Sequence, residues 1–193
     1  MKWRRVLNGM SSRLHNFTSN LVKIFEVRQR ILGKVDMQKT VYFMKRFGVD
    51  VPFEYRWSFL GPYSYDLAHY CNSLEVEGLL FYSGIYSLNK ERAKFYADST
   101  ISPAVLEKLK IFFTKIDEIC ARKKYDKVAF LECLASLDFI NQNISRGRHR
   151  KRTVFLLLQQ LKPEKAEIFR NMRDDAWNLL KDVGLITAQE YDQ

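Results

Sequence analysis

Residues Asp36–Leu88 read DMQKTVYFMKRFGVDVPFEYRWSFLGPYSYDLAHYCNSLEVEGLLFYSGIYSL, and their patterning decides the fold. Asp36 is a plausible N-cap, and Met37, Val41, Met44 and Phe47 then recur at helical spacing until Gly48 stops the run. Phe53-Glu-Tyr-Arg-Trp-Ser-Phe59 alternates aromatic and polar residues, which predicts a half-buried strand broken by Gly61-Pro62. On this reading Tyr55, Trp57 and Phe59 are the strand's core face rather than a base-stacking platform. From about Tyr63 to Glu77, Leu67, Tyr70, Cys71 and Leu74 make one apolar stripe, with Ser64 as cap and Gly78 as stop. Two β-prone runs around Ser83-Gly84 then predict a hairpin over Leu79–Leu88.

Working outward, Leu14, Phe17, Leu21, Ile24, Phe25, Arg28 and Ile31/Leu32 repeat in steps of three and four. They predict a helix over about Leu14–Leu32. Four further helices are expected after the hairpin. The first covers about Ser102–Arg122, with Val105, Leu109, Phe112, Phe113, Ile116 and Ile119 inward. Lys127–Gln142 follows, then Arg152–Leu161, stopped by Lys162-Pro163. The last, Glu164–Val183, turns Ile168, Met172, Ala176, Leu179, Leu180 and Val183 to the core. Helix, helix, strand, helix, hairpin in fewer than 90 residues is the order of a winged helix-turn-helix module. The expected fold is mainly α: a winged-helix-like amino-terminal module over 1–98 with a small hairpin, and a carboxy-terminal helical bundle over 99–193 packed on it.

Composition agrees. The 193 residues are 47% hydrophobic and 28% charged, enough for a core and incompatible with a disordered chain. Eight Gly and four Pro leave little room for a many-stranded sandwich. No apolar run is long enough to span a bilayer. The opening MKWRRVLNGMSSRL lacks a signal-peptide apolar region, so the default expectation is a cytoplasmic location. Cys71, Cys120 and Cys133 read as buried hydrophobes in a reducing compartment. His15, His69 and His149 are too scattered to assemble a zinc site.

The net charge of +10 is concentrated. Residues 1–34 carry +7, residues 35–143 are neutral, and residues 144–153 carry +5 from Arg146, Arg148, Arg150, Lys151 and Arg152. Such clusters attract polyanions, nucleic acid among them, and Arg28 and Arg30 are candidate contacts beside the 146–152 run. The helix that would enter a major groove has the opposite character. No Lys or Arg lies between Arg56 and Lys90, while Asp66, Glu75 and Glu77 do. Phosphate would meet that segment at a cost. Its Tyr63, Tyr65, Asp66, His69 and Asn72 suit a protein partner better, since tyrosine pairs a large apolar ring with a polar tip.

No nucleophile elbow, zinc-helix motif, phosphate-cradling glycine loop or paired-carboxylate motif is present. Asp66 and His69, three residues apart, are read as a surface pair at a helix end rather than as an acid–base couple. A non-enzymatic protein without cofactor or metal is the expectation.

The segments Gln38-Lys-Thr-Val-Tyr-Phe43, Leu60-Gly-Pro-Tyr-Ser64, Leu67 and Gly78-Leu-Leu80 resemble the YwgA-like proteins and, more distantly, the SocA-like (Panacea) antitoxin domain. Phe130-Leu-Glu-Cys-Leu-Ala-Ser-Leu137, Leu161-Lys-Pro163, Ala176-Trp-Asn-Leu-Leu180 and Gly184-Leu-Ile186 resemble the family's later helices. The likeness covers about Leu32 to Ile186, with Thr40 in place of the usual leucine. It implies a winged-helix-like core without a settled activity, and the antitoxin relatives imply protein or toxin binding. Two functions are therefore expected: a nucleic-acid-associated regulator acting through its basic segments, or an adaptor docking through its acidic third helix.

Overall fold

The computed structural model describes residues 2–144 and 151–186, with side chains described from Ser11 onward. The protein is mainly α, 71% helical and 8% strand, and its strands form two small antiparallel hairpins. The chain divides into two compact units. One comprises residues 1–55 and 64–110, and the other residues 56–63 and 111–193. The short hairpin at 56–63 goes with the second unit.

In the first unit α1 (Lys2–Arg28) ends where Gln29 takes a left-handed φ of 57° and donates its N–H to the Phe25 carbonyl. The helix therefore stops before Leu32, because a left-handed residue closes a helix by turning the chain away. Phe17, Leu21, Ile24 and Phe25 are buried as their spacing predicts. Ile31 then bridges to Tyr86, whose N–H donates to the Ile31 carbonyl at 2.9 Å.

α2 (Gly33–Arg46) starts three residues ahead of Asp36, so Asp36 is not its N-cap. The carboxylate instead lies inside the first turns and accepts the Leu32 N–H at 2.7 Å, satisfying an orphan donor from within. The expected single apolar face is also too narrow. Every residue from Asp36 to Met44 is buried, and Phe47 only partly. Enclosure on all sides is possible because the polar members find partners: Thr40 donates to Asp36 at 3.0 Å, and Gln38 bonds the Ser64 backbone.

α3 (Tyr65–Val76) follows, then β3 (Leu80–Tyr82) and β4 (Tyr86–Leu88), paired antiparallel. Their three-residue loop places Gly84 at φ 82°, a conformation that favours glycine. Within this unit α1, α2, α3 and the β3–β4 hairpin follow one another as anticipated, whereas the strand expected between α2 and α3 falls in residues 56–63 of the second unit. A short α4 (Lys90–Ala93) is capped by Asn89 and leads toward α5 (Pro103–Lys123). In α5 Leu109, Phe112, Phe113 and Ile116 are buried, whereas Val105 and Ile119 are half-buried.

In the second unit the Phe53–Phe59 expectation shrinks to β1 (Arg56–Ser58), which pairs with β2 (Gly61–Tyr63). Gly61-Pro62 does not break the strand; it forms the returning one, with Pro62 opposite Trp57. A two-stranded ribbon tolerates this, since an edge position needs no N–H from proline. Trp57 is half-buried 6.0 Å from Phe139, but Phe59 is 70% exposed and so is no core residue. α6 (Lys127–Phe139) is buried on all sides from Phe130 to Phe139 and gives way to a π turn, Ile140–Ile144. α7 (Lys151–Leu161) and α8 (Ala166–Asp182) complete the unit. In α8 Phe169, Met172, Ala176, Trp177, Leu179 and Leu180 are buried. Ile168, expected inward, is 48% exposed, because Phe169 takes the inner position.

Candidate functional site

The amino end of α3 is fixed by two devices. Ser64 accepts the Leu67 N–H on its Oγ at 3.3 Å, the cap expected from sequence. The Gln38 side chain then clasps the Ser64 backbone, donating Nε2–H to the carbonyl and accepting the N–H on Oε1, 2.9 Å each way. Leu67, Cys71 and Leu74 are buried, and Tyr70 is half-buried with its hydroxyl 2.6 Å from Thr18 Oγ1. That phase turns Tyr65, Asp66, His69, Asn72 and Val76 outward, Tyr65 69% and Val76 90% exposed. The β3–β4 hairpin of the same unit also exposes Phe81, Tyr82 and Ile85. Tyr63, half-buried, closes β2 and belongs to the second unit. Asp66 and His69 are both exposed, and no hydrogen bond joins them among the described residues.

The expected basic contacts fare unequally. Arg28 is overturned as a surface contact. Its side chain is 1% exposed and grips Asp36 with Nη2 at 2.5 and 2.6 Å from the two carboxylate oxygens. A cation in the last turn of α1 suits the helix dipole, and the first turns of α2 supply the buried countercharge that holds it inside. Arg30 is exposed. Arg13 is paired with Asp50 at 2.8 Å and Lys23 with Glu26, which leaves little free charge on the described part of α1. Arg146, Arg148 and Arg150 lie outside the described residues.

Lys151 and Arg152 open α7 and line an open groove of about 400 Å³ with Phe155, Leu156, Gln159, Arg173 and Asp174. Lys151 bonds Asp174 at 2.6 Å and also lies 5.4 Å from the Phe155 ring centre. The Arg173 guanidinium lies 4.6 Å from the same ring centre, and its Nε is buried without a hydrogen-bond acceptor. Arg152 and Leu156 are exposed.

One polar cluster was missed by sequence reasoning. Lys162, read only as a helix stop, is wholly buried and donates to Glu132 Oε1 at 2.8 Å and to the Phe59 carbonyl. Lys165 takes the other oxygen of Glu132. Desolvation lowers the Lys162 pKa, and Glu132 opposes that shift by stabilising the ammonium. The sole sequence signal was a lysine directly before a helix-stopping proline.

The cysteines are buried and free. Burial pushes the Cys71 thiol up to about 12 and Cys120 up to about 11, and raises Cys133 as well, so none offers a thiolate near neutrality. Among the described residues no group of His, Cys, Asp and Glu could hold a metal ion, and no helix is long and apolar enough to cross a membrane. Compared with protein-family models, curated proteins and solved structures, the chain matches none.

Proposed function

We propose that this is a non-enzymatic regulatory protein that associates with nucleic acid through the cations at and before the start of α7. The observation that carries the reading is that a sequence run of five cations over 146–152 ends in Lys151 and Arg152, which line a groove with Arg173 against one carboxylate, Asp174. Local positive charge of that density raises the concentration of polyanions at the surface and binds phosphate without selecting a sequence. With Arg28 buried and Arg13 and Lys23 paired, the described part of α1 contributes less than its composition suggests. Retention of mixed-sequence nucleic acid on a filter at about 50 mM salt, lost at about 200 mM, is the expected result. Absence of retention at the lower salt contradicts the reading.

A second reading has its own support. The outer face of α3 is cation-free, and Tyr65, Val76, Phe81, Tyr82 and Ile85 stand exposed in the same unit. Exposed aromatic and aliphatic side chains beside acids suit a protein partner, as the resemblance to antitoxin domains also implies. Tyr65→Ala should then weaken capture of that partner and leave nucleic-acid retention unchanged. Asp66→Arg should weaken capture too, while retention stays equal or rises.

A further inference from the structure

We infer that the groove between α7 and α8 receives a single-stranded nucleic acid, one unstacked nucleotide at a time, in preference to a duplex. This rests on the nucleic-acid reading above and specifies its form.

Three features of the groove lead there. Its charge is complementary to phosphate: three cations, Lys151, Arg152 and Arg173, share a single carboxylate, Asp174, with Lys151 at 2.6 Å and Arg173 at 4.0 Å from it. Arg152 is exposed and paired with no described carboxylate. The groove also has the mixed lining that a base needs. Leu156, 51% exposed, gives an apolar surface, and the Gln159 amide can both donate to and accept from a base edge. Arg173, held 4.6 Å from the Phe155 ring centre, is fixed as a planar cation on which a base can stack. Proteins that bind single strands combine a positive groove for the backbone with stacking groups for the bases.

Size favours the single-stranded form. A space of about 400 Å³ has the dimensions of a site for one small organic group. A base and its sugar-phosphate fit that scale, whereas paired bases inside a duplex are not free to enter. Recognition by stacking tolerates every base, so no sequence preference is expected.

The test is fluorescence anisotropy of the full chain with a labelled thymidine oligonucleotide of about 15 nucleotides, beside a mixed-sequence duplex of equal length. Wild type should bind the single strand about tenfold tighter than the duplex at one low salt concentration. Leu156→Asp places a carboxylate in the groove at an exposed position, and Arg152→Ser removes the unpaired cation. Each should weaken single-strand binding at least about fivefold, and Leu156→Asp should leave duplex binding within about twofold. Arg173→Lys, which keeps the charge and loses the plane, should also weaken the single strand selectively, with an unchanged thermal midpoint confirming the fold. Equal affinity for the two forms, with Leu156→Asp and Arg173→Lys silent, overturns the groove assignment while nucleic-acid association stands. Failure of both forms to bind at low salt overturns the broader reading and this one together.

Discussion

The Gln38 side chain and the Ser64 backbone form a two-way hydrogen-bond pair, 2.9 Å in each direction. It joins the middle of α2 to the residue that caps α3, so one glutamine sets where the third helix begins. Tyr55 adds a hydrogen bond from its hydroxyl to the Gln38 carbonyl at 3.0 Å.

Gln38→Leu keeps the volume and removes both side-chain contacts to the Ser64 backbone. The Ser64 N–H is then orphaned, while its carbonyl keeps the Ala68 N–H at 3.2 Å, and the expected loss is on the order of 2 kcal/mol in a urea titration. His69→Ala, on the exposed face, should stay within about 0.5 kcal/mol. Equal losses would show that the clasp is not what positions α3.

The Arg28–Asp36 pair predicts an asymmetric cost. Asp36→Asn retains an acceptor for the Leu32 N–H but strands a buried guanidinium, for a loss of about 3–5 kcal/mol. Adding Arg28→Met to that variant should recover a large part. Arg28→Met alone should leave nucleic-acid retention unchanged, since the side chain does not reach solvent. A double variant no more stable than Asp36→Asn would contradict the pairing account.

What was legible in the sequence followed from period and punctuation. The 67–71–74 spacing revealed the inner face of α3, Ser64 its cap, and Ser83-Gly84 the β3–β4 turn. Buried charge was illegible. By sequence Arg28 reads as a surface cation and Lys162 as punctuation, because nothing local reveals that Asp36 or Glu132 will meet them inside a core. α2 and α6 misled for a related reason: a helix enclosed on every side has no apolar face for its period to mark. The Gly61-Pro62 strand was hidden because proline normally reads as a break. The α7–α8 groove depends on Arg173 and Phe155 meeting from two helices, which no local spacing announces.

The thiols set an alkaline limit on stability. The ordinary value for cysteine is 9.0, and in the folded protein Cys120 is raised to about 11 and Cys71 to about 12. A raised acid stays protonated in the folded state while the unfolded chain ionises. Its contribution is therefore complete below about pH 9 and is lost as pH climbs through 11 to 12. Urea midpoints should fall across that window, and Cys71→Ala should fall less steeply than wild type even where it starts lower. At pH 8 the native protein should resist a thiol reagent that labels all three cysteines in urea. Rapid labelling of the native protein would contradict the burial.

The central claim is association with nucleic acid through the cations of Arg146–Arg152, and the salt dependence of binding tests it most directly. The measurement is the slope of log affinity against log salt for wild type and for a variant with Arg146, Arg148, Arg150, Lys151 and Arg152 all replaced by serine. Each of these cations that touches a phosphate on a single strand should reduce the steepness by about 0.7 when removed. The predicted result is a steep wild-type line and a variant line flattened by several such increments. Two superimposable lines, or a wild-type affinity indifferent to salt, would contradict the account.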